Sequence, residues 1–498
     1  DTTLVYHIPV IFDVKSGRRI MPDISPIPHF MGMDFRWNPQ GDELYGPYTH
    51  RGYKQLDMLR ICAESGRVRT LFSEHSELSV ESGKLIHERI GDSLLLFSSE
   101  RDGWYHLYLY DWDSGEMIRQ LTRGDFVVKS LVHIDKLTQR IYFMASGREP
   151  GRNPYQEHLY SVALSGRELM LLSPEDAHHQ LHLSPCKTYV IDNYSRPDLP
   201  TVSVLRMLSS GEIIQRLSEA DTGDLYAMGW RAPMPFTVKG RDNTTDIYGL
   251  LYHPAGFSPD ARYALINYAY SGPHGSIVPK SFSQALINIM APLTQFGFAV
   301  MVVDGLGTGD RSRDFRAWSY RNIGGNIHCH AAAVQQLVRQ HPWLDIQRVG
   351  IFGHSAGGYD ATRAMLLYPD LFKVGVSSAA DHDHRMEKAW WPEMYMGYPV
   401  DEYYHEQSNI AQAARLEGRL LIAHGGIDEN VNPSASFKLA ENLIAAGRDF
   451  DMLILPGLRH SFGRDTGDYF TRVRWNYFIR HLLGAEPIHN YQFQSPGL

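Results

Sequence analysis

Five Ser-Gly pairs recur along the first half of the chain at nearly constant spacing, and this repeat restricts the fold more than any other feature. Each pair ends an aromatic or β-branched run, which is typical of a hairpin turn between strands. A repeat of roughly 40–50 residues containing several strands is typical of the four-stranded blade of a β-propeller. The pairs are Ser16-Gly17, Ser65-Gly66, Ser114-Gly115, Ser165-Gly166 and Ser210-Gly211, and their glycines are 49, 49, 51 and 45 residues apart.

The first repeat begins midway through a unit, since only 16 residues precede Gly17. We therefore expect residues 1–233 to hold about four and a half propeller repeats. A propeller closes on itself because open sheet edges are a liability. Since the chain also begins with Asp1 rather than methionine, we expect a processed or truncated chain whose earlier blades lie upstream. A complete small propeller is the alternative.

From about residue 234 onward, strand-like and helix-like segments alternate. This alternation implies right-handed βαβ units and a doubly wound, mostly parallel sheet, so we expect residues 234–498 to form one α/β domain. In such a sheet, sites form at the carboxyl ends of the strands. The expected strands are residues 264–270, 298–304, 348–352, 374–379, 418–424 and 450–455, and the expected helices are residues 282–296, 327–340, 359–367, 435–446 and 469–483.

Residues Gly353-His354-Ser355-Ala356-Gly357 form a G-x-S-x-G motif between an expected strand and an expected helix. This is the context of a nucleophile elbow, in which a sharp turn lifts a serine hydroxyl above the sheet and requires small neighbours. A glycine-rich turn without chemistry is the alternative interpretation of the motif alone. The motif makes Ser355 a candidate nucleophile of an α/β-hydrolase domain.

An acid and a histidine follow in the α/β-hydrolase order Ser, Asp, His. Asp428 comes directly after the expected strand 418–424, and His460 lies in a glycine-containing loop after the strand 450–455. His460 would take the proton from Ser355, and Asp428 would hold the imidazole and stabilise its charged form. A cap or turn role is the alternative for Asp428. His354 is a poor base candidate because its side chain should point away from Ser355 on so tight a turn.

A tetrahedral intermediate also requires an oxyanion hole. The backbone amide of Ala356, which follows the nucleophile, is the expected first donor. The pattern alone does not fix the second donor. Residues 268–273 end an early strand, so a tyrosine hydroxyl or a backbone amide there could serve, and core tyrosines are the alternative.

Two histidine pairs, His328 with His330 and His382 with His384, have a spacing that looks metal-binding at first sight. Neither pair is joined by a further ligand pair at zinc-type spacing. We therefore expect these histidines on loops or helix surfaces, and we expect neither a metal nor a cofactor.

The composition excludes several function classes. The net charge of −8 and the lack of basic clusters argue against nucleic acid binding. No run of about 18 apolar residues is present, so we expect no membrane span. The three cysteines, Cys62, Cys186 and Cys329, are too few and too widely spaced for a disulfide framework. A periplasmic, secreted or cytoplasmic location stays open, as does a homodimer.

Seven short segments extend over nearly the whole chain: S-E-R-D-G-W at 99–104, Y-S-G-P at 270–273, V-D-G-L-G-T-G at 303–309, G-H-S-A-G-G-Y at 353–359, Y-M-G at 395–397, H-G-G-I-D-E-N-V at 424–431 and R-H at 459–460. With these segments, the strand repeat and the Ser-Asp-His order, the chain resembles the prolyl oligopeptidase clan of serine peptidases, and most closely its dipeptidyl peptidase IV branch. The resemblance implies a propeller followed by an α/β-hydrolase domain, and a peptide substrate.

The resemblance also implies roles for residues that the pattern alone leaves open. The tyrosine of Y-x-G-P supplies the second oxyanion donor in that family, which implies Tyr270. The asparagine two places after the triad acid holds the substrate backbone, which implies Asn430. An aromatic residue four places before Y-M-G lines a proline pocket, which implies Trp391, with Val431 nearby.

Three departures from the family pattern bear on the substrate. Ala356 stands where the branch usually has an aromatic residue, and Glu387 stands at the position of another pocket aromatic. The family holds a free N-terminal amine with two adjacent glutamates in the propeller, and this sequence contains no Glu-Glu pair. If the chain is a fragment, that pair would lie upstream of Asp1. Serine hydrolysis is therefore the better supported prediction, and strict post-proline cleavage the weaker one.

Three hypotheses follow from the sequence. The leading one is a serine exopeptidase that hydrolyses short peptides through an acyl-enzyme, of the dipeptidyl aminopeptidase type. The second keeps the triad but changes the substrate, giving an acylaminoacyl peptidase or an esterase. The third is a catalytically silent propeller that serves as an interaction scaffold.

Overall fold

The first half of the chain folds into small antiparallel sheets that follow one another along the sequence. The computed structural model describes residues 4–28, 34–270, 272–463, 467–491 and 493. Four of these sheets are four-stranded meanders, and a two-stranded sheet precedes them. Their strands are β1 (Ile11–Phe12) and β2 (Arg19–Ile20); β3 (Arg36–Trp37), β4 (Glu43–Thr49), β5 (Gln55–Cys62) and β6 (Val68–His75); β7 (His87–Ile90), β8 (Leu94–Ser99), β9 (His106–Asp111) and β10 (Met117–Gln120); β11 (Val127–Asp135), β12 (Arg140–Ser146), β13 (Glu157–Ala163) and β14 (Met170–Leu171); and β15 (His178–Leu183), β16 (Tyr189–Arg196), β17 (Leu199–Met207) and β18 (Ile213–Glu219).

The Ser-Gly pairs connect the third and fourth strands of the four-stranded sheets, and the first pair connects β1 to β2. Their glycines all have left-handed backbone, with φ between +69° and +78°, a conformation that glycine adopts without steric cost. At Gly115 the backbone also lies against the preceding sheet, because a Cβ there would approach the Leu71 carbonyl oxygen to 2.2 Å. Each Ser-Gly pair therefore marks a tight turn, and at Gly115 this turn also lies against the neighbouring sheet.

Apolar side chains from adjacent sheets form shared cores. Leu107 of β9 packs in one cluster with Phe143 of β12 and Tyr160 of β13, and all three are fully buried. A second cluster joins Met58 of β5 to Phe97 of β8. These face-to-face contacts are those of propeller blades, as the sequence predicts.

The second half forms an eight-stranded, mostly parallel sheet in the order β19-β20-β22-β21-β23-β24-β25-β26. The first two strands form an antiparallel hairpin, and β20 is also antiparallel to β22. All pairings from β22 onward along that order are parallel. The strands are β19 (Met234–Lys239), β20 (Asp246–Tyr252), β21 (Tyr263–Tyr268), β22 (Ala299–Val303), β23 (Leu344–His354), β24 (Phe372–Ser378), β25 (Arg419–Gly425) and β26 (Asp451–Leu455).

Helices cover both faces of this sheet, as expected for crossover connections. Apolar clusters lie on each side: α4 contributes Val334 and Leu337 to one, and α9 contributes Phe470 and Phe478 to the other. In the described residues, the α-helices are α1 (Gly223–Ala227), α2 (Phe282–Leu286), α3 (Arg313–Ala317), α4 (Ile327–Gln340), α5 (Ala356–Leu367), α6 (Trp390–Met396), α7 (Glu402–Glu406), α8 (Ser434–Ala445) and α9 (Gly467–Phe478), which continues into a π-turn at Ile479–Leu483. Short 3₁₀ turns occur at Ser82–Lys84, Ala291–Phe296, Ile323–Asn326 and Ala413–Arg415.

The predicted fold class is confirmed. The short helices α1, α3, α6 and α7 were not predicted, and the structure also differs from the prediction at a hairpin and at one expected helix. The hairpin β19–β20 was not predicted, because its edge strand β19 alternates buried and exposed residues and lacks the apolar run of a buried parallel strand. The expected helix at 282–296 is broken into α2 and a 3₁₀ turn. Asn288 ends α2 by donating to the Gln284 and Ala285 carbonyls, and its side-chain oxygen accepts from the Met290 amide.

Buried ion pairs connect the sheets of the first half to the α/β half. Arg51 forms a salt bridge of 2.8 Å with Glu393 in the first turn of α6. Arg316 of α3 contacts Glu100 at 2.5 Å and also donates to the Ser79 carbonyl. The segment around residues 79–84 is thereby held against the carboxyl-end loops of the parallel sheet. Across the described ranges, the helices are too short or too polar to span a lipid bilayer.

Candidate active site

Ser355 lies on a sharp turn between strand β23 and helix α5. Its backbone is in a sparsely populated region, with φ 59° and ψ −123°, which is the strain typical of a nucleophile elbow. The turn is close-packed: a Cβ on Gly353 would lie 2.1 Å from the Gly357 carbonyl oxygen, and one on Gly357 would lie 2.1 Å from the Ala269 carbonyl oxygen. Glycine is therefore required on both sides of the serine.

The structure brings Ser355, His460 and Asp428 into one hydrogen-bonded chain. His460 Nε2 is 3.0 Å from Ser355 Oγ, and His460 Nδ1 is 2.9 Å from Asp428 Oδ2. Asp428 and His460 follow the neighbouring parallel strands β25 and β26, and the loops after these strands are joined by the Ile427 amide, which donates to the Leu458 carbonyl. The geometry is that of a serine nucleophile, a general base and an orienting carboxylate.

The Asp428 carboxylate is fully buried and saturated with donors. Its Oδ1 accepts from the Asn430 amide at 2.9 Å and from the Val431 amide at 2.8 Å. Burial opposes ionisation, but hydrogen bonds from His424, His460 and Val431 outweigh it and hold the pKa of Asp428 well below its ordinary value. The acid is thus kept ionised beside His460.

His424, at the end of β25, was not predicted as a site residue. Its Nε2 lies 3.2 Å from Asp428 Oδ2 and 3.1 Å from the Val431 carbonyl oxygen, and its Nδ1 lies 2.7 Å from Ser436 Oγ. It lies behind the triad and contacts the same oxygen of Asp428, Oδ2, as His460 does. The available signal was its position four residues before Asp428 at the end of a buried strand.

The two predicted oxyanion donors lie at the same cavity as Ser355. Ala356 is the first residue of α5, where backbone amides have no partner within the helix. Tyr270 lines the cavity with Ala356 and Ser355. Burial raises the pKa of Tyr270, with smaller contributions from Tyr268 and Asp360, so its phenol keeps its proton and can donate. Ser271 of the Y-S-G-P segment lies outside the described residues.

The cavity beside Ser355 has a volume of about 430 Å³ and includes the three predicted substrate-binding residues, Asn430, Trp391 and Val431. Lys388 reaches across to Asn430, contacting its carbonyl oxygen and its side-chain oxygen. The cavity also has a charged wall, of which the resemblance predicted only the position of Glu387. Sequence reasoning missed the other charged residues, because their segments are far apart in the chain and carry no motif; these are Glu81, Lys84, Asp381 and Lys388.

The expectation that the histidine pairs lie on loops or helix surfaces is wrong for His330, which is on the buried face of α4, whereas His382 and His384 lie on a loop as expected but are buried there. His330, His382 and His384 are buried. His330 Nδ1 accepts from the side-chain amide nitrogen of Asn267, which is also buried, and His384 lines the cavity. A spacing of two residues does not distinguish a surface pair from one buried by a tertiary contact.

His354 neighbours Ser355 but hydrogen-bonds elsewhere, to Ser378 Oγ at 3.1 Å. Its ring packs 5.0 Å from the His460 ring. Burial, followed by the charge of His460, lowers the pKa of His354 to about 4. It therefore stays neutral near pH 7 and supports the position of His460.

One group of potential metal ligands occurs among the described residues, in the last four-stranded sheet: Glu175, His179 and Asp192. Arg206 Nη2 lies 2.8 Å from the Glu175 carboxylate and 2.9 Å from the Asp192 carboxylate. The guanidinium already compensates both acids, which fits a structural ion pair better than a cation site.

Two protein-family profiles match the chain. The profile of the dipeptidyl peptidase IV N-terminal region matches residues 10–201, and that of the prolyl oligopeptidase family matches residues 284–485. Dipeptidyl peptidase 8 from Mus musculus is 28% identical over 383 residues, covering 73% of this chain and 42% of that protein. The chain spans less than half the length of such curated relatives.

Solved structures share the fold at lower identity. A Bacteroides ovatus protein assigned to dipeptidyl aminopeptidase IV superposes with a TM-score of 0.86 at 23% identity, over 97% of this chain and 74% of that chain. Porphyromonas gingivalis dipeptidyl peptidase 4 superposes with a TM-score of 0.82 at 24% identity, over 95% and 67% respectively.

Propeller-like sheets, an α/β-hydrolase sheet and the two profile matches define a class of serine peptidases. The chain belongs to the prolyl oligopeptidase family, in its dipeptidyl peptidase IV-type branch.

Proposed function

We propose that this chain carries the catalytic centre of a serine exopeptidase that releases dipeptides from peptides with a free N-terminus. The observation that carries the proposal is the hydrogen-bonded chain Ser355–His460–Asp428, with links of 3.0 and 2.9 Å, at the edge of a cavity of peptide size. Dipeptidyl peptidases among the relatives support the same substrate class.

In the first half of the reaction, Ser355 Oγ attacks the scissile carbonyl while His460 Nε2 takes its proton. Asp428 holds His460 through Nδ1 and stabilises the imidazolium. The Ala356 amide and the Tyr270 hydroxyl donate to the oxyanion as it forms. His460 then gives its proton to the leaving amine, and the acyl group stays on Ser355.

In the second half, water replaces the leaving amine. His460 removes a proton from that water, which attacks the ester carbonyl through a second oxyanion at the same donors. The proton returns to Ser355 Oγ when the ester breaks. No other reactant is required, so the net reaction is hydrolysis of one peptide bond.

Glu81 supports recognition of a free amine. It belongs to the sheet-rich half, lines the cavity together with Ser355, and is 7% exposed. Lys84 is 3.1 Å from one of its oxygens, so the carboxylate can share its charge with the α-ammonium group of a substrate. This acid would serve where the sequence has no adjacent glutamate pair.

We also propose that residues 1–233 act as a propeller unit that limits access to short peptides, and residues 234–498 as the catalytic domain. The homodimer remains a prediction, which light scattering on the purified protein tests.

Labelling with a fluorophosphonate probe tests the nucleophile. We expect the wild-type protein to be labelled and Ser355→Ala not to be, because only a serine activated by His460 attacks the probe at an appreciable rate. Labelling that persists in the variant would refute the assignment. The variant's thermal melt, unchanged from wild type, controls for folding.

Free and N-blocked alanyl and prolyl anilides test the substrate class. We expect hydrolysis of free dipeptidyl anilides only, and a KM for them that rises about tenfold in Glu81→Gln. Glu77→Gln, an exposed acid of the same segment, is the matched control. Faster hydrolysis of blocked substrates would instead identify an acylaminoacyl peptidase or esterase.

A further inference from the structure

The wall of the cavity beside Ser355 carries an unbalanced negative charge. Among the described residues, three carboxylates line it, those of Glu81, Asp381 and Glu387, against the two ammonium groups of Lys84 and Lys388. Glu81 pairs with Lys84 and Glu387 pairs with Lys388. Asp381 has no ammonium partner, and in the described part of the chain its only partner at salt-bridge distance is His384.

The carboxylates of Asp381 and Glu387, called the acidic wall below, line the same cavity and repel each other. Burial first, and then the charge of Asp381, raise the pKa of Glu387, as expected for two carboxylates that share a poorly solvated site. Among the described contacts, the hydrogen bonds to Glu387 both end on Oε1, from the backbone amide and the ammonium group of Lys388. A cationic ligand would relieve this repulsion.

His384 adds a buried acceptor to the same wall. Its Nδ1 lies 2.7 Å from Asp381 Oδ2, and because an ionised carboxylate only accepts, Nδ1 carries the hydrogen. In the neutral ring, Nε2 is then an acceptor. This nitrogen is buried and has no hydrogen-bond partner among the described residues, and its side chain lines the cavity. Such an atom calls for a donor from a ligand.

The cavity also has room and aromatic faces for a long, flat cation. The His384 ring lies 4.7 Å from Tyr359 and 5.9 Å from Trp391. Tyr359 is one turn of α5 beyond Ser355, to whose carbonyl its amide is bonded. Ala356, directly after the nucleophile, extends only a methyl group. The acidic wall therefore lies next to the atoms that surround an attacked carbonyl.

We propose that this cavity selects an arginine or lysine side chain on the residue whose carbonyl Ser355 attacks, with arginine preferred. This inference rests on the proposed peptidase function and specifies its substrate. A guanidinium offers five donors in a plane, which matches the acceptors of Asp381, Glu387 and His384. The same plane can stack on Trp391 or Tyr359, an interaction that an ammonium group makes less well.

Lys388 does not fill this role. It is partly exposed and reaches out of the acidic wall to Asn430, whose side-chain oxygen it contacts at 2.7 Å. With Lys388 on Glu387 Oε1, Asp381 still has no ammonium partner among the described residues. A substrate cation supplies the missing charge, whereas a substrate carboxylate would add to the excess.

The test uses the full-length protein and dipeptidyl coumarin amides with a free N-terminus that differ only in the second residue: Gly-Arg, Gly-Lys, Gly-Met, Gly-Pro and Gly-Glu. Methionine is the uncharged control of similar length. We expect kcat/KM for Gly-Arg to exceed that for Gly-Met by at least about tenfold, and Gly-Glu to be the poorest. Glu387→Gln should reduce the Arg-to-Met ratio of kcat/KM about tenfold. Glu417→Gln, an exposed acid outside the cavity, should leave the ratio unchanged.

The outcomes separate this inference from the proposed function. If Gly-Pro or Gly-Met is cleaved faster than Gly-Arg, the peptidase stands and the cationic preference is wrong. If no substrate is cleaved, calorimetric binding of the dipeptides Gly-Arg and Gly-Met to Ser355→Ala decides the matter. Tighter binding of Gly-Arg upholds the selectivity of the cavity, and equal binding overturns it, while fluorophosphonate labelling separately reports on the nucleophile.

Discussion

The histidine behind Asp428 provides a sharp test of how the catalytic carboxylate is held. His424 is fully buried, and its Nε2 faces two oxygens, Asp428 Oδ2 and the Val431 carbonyl. A carbonyl oxygen and an ionised carboxylate can only accept, so Nε2 carries a hydrogen. Ser436 then donates its hydroxyl hydrogen to Nδ1 in the neutral ring. His424 is therefore a fixed donor to Asp428.

Replacing His424 with leucine removes this donor, and replacing it with glutamine keeps an N–H at about the place of Nε2. A hydrogen bond to a charged group contributes about 1.5–3 kcal/mol, and about 1.4 kcal/mol corresponds to a tenfold change in rate. With the bond at 3.2 Å, we expect His424→Leu to lower kcat/KM about ten- to a hundredfold. His424→Gln should lose less than about threefold, because its amide can still donate to Asp428.

The pH profile separates a positioning role from simple packing. Without the donor, the negative charge of Asp428 is less dispersed and stabilises the charged form of His460 more strongly. His460 must be neutral to accept the serine proton, so the acid limb of kcat/KM should move to higher pH, by up to about one unit. His382 also lies near His424 but does not obscure this limb, because burial lowers its pKa to about 3.

Steady-state kinetics with a dipeptidyl coumarin amide from pH 5 to pH 9 measure both effects. Thermal melts of the two variants report any loss of folding. Equal losses in His424→Leu and His424→Gln, with an unmoved acid limb, would mean that His424 only fills space. Wild-type kinetics in His424→Leu would refute the reasoning altogether.

Three further predictions address the oxyanion hole, a buried acid and the repeat. Tyr270→Phe should lower kcat about a hundredfold or more with little change in KM, since the lost donor acts on the transition state; an unchanged kcat would exclude Tyr270. Burial raises the pKa of Asp304 to about 6, so the folded state keeps a proton that the unfolded chain loses near pH 4, and stability falls as pH rises between these values. The free energy of unfolding of Asp304→Asn should therefore rise relative to that of wild type by about 2–3 kcal/mol from pH 4 to pH 7. The Tm curves of the two proteins should diverge over this range, and parallel curves would contradict the prediction. Gly115→Ala should lower the Tm more than Gly91→Ala, because both glycines have positive φ but only a Cβ at Gly115 would meet backbone, at 2.2 Å from the Leu71 carbonyl oxygen. Equal losses of Tm would mean that backbone strain alone destabilises both variants and that the contact with Leu71 does not matter.

The sequence predicts the architecture well where a constraint lies in consecutive residues. The Ser-Gly pairs are readable because each turn needs left-handed backbone, and at Gly115 contact with the preceding sheet excludes a side chain. Buried parallel strands are readable because both faces exclude polar residues. The hairpin Met234–Tyr252 was missed because an edge hairpin needs no such run.

The candidate site divides in the same way. The serine, the acid and the histidine could be predicted because strand ends and loop order restrict where they stand. Their roles remain proposals until the variants are measured. His424, Glu81 and His384 were not predicted as site residues, because tertiary packing brings them to the site. This packing is the pairing of β25 with its neighbours, the salt bridge between Arg316 and Glu100, and the ring contact of His384 with Tyr359.

The nucleophile elbow and the acidic wall depend on different parts of the structure, so that substrate preference can change without loss of the catalytic geometry. The reactive geometry depends on backbone, since the turn at Ser355 is closed by contacts among Gly353, Gly357 and the Ala269 carbonyl. The acidic wall depends on side chains of residues 381–388, in the connection between β24 and β25. Substitutions in that connection can alter charge and volume beside the nucleophile without moving the elbow. Catalysis can therefore be kept while substrate selectivity changes, so the side chains of this connection determine which substrates the cavity accepts.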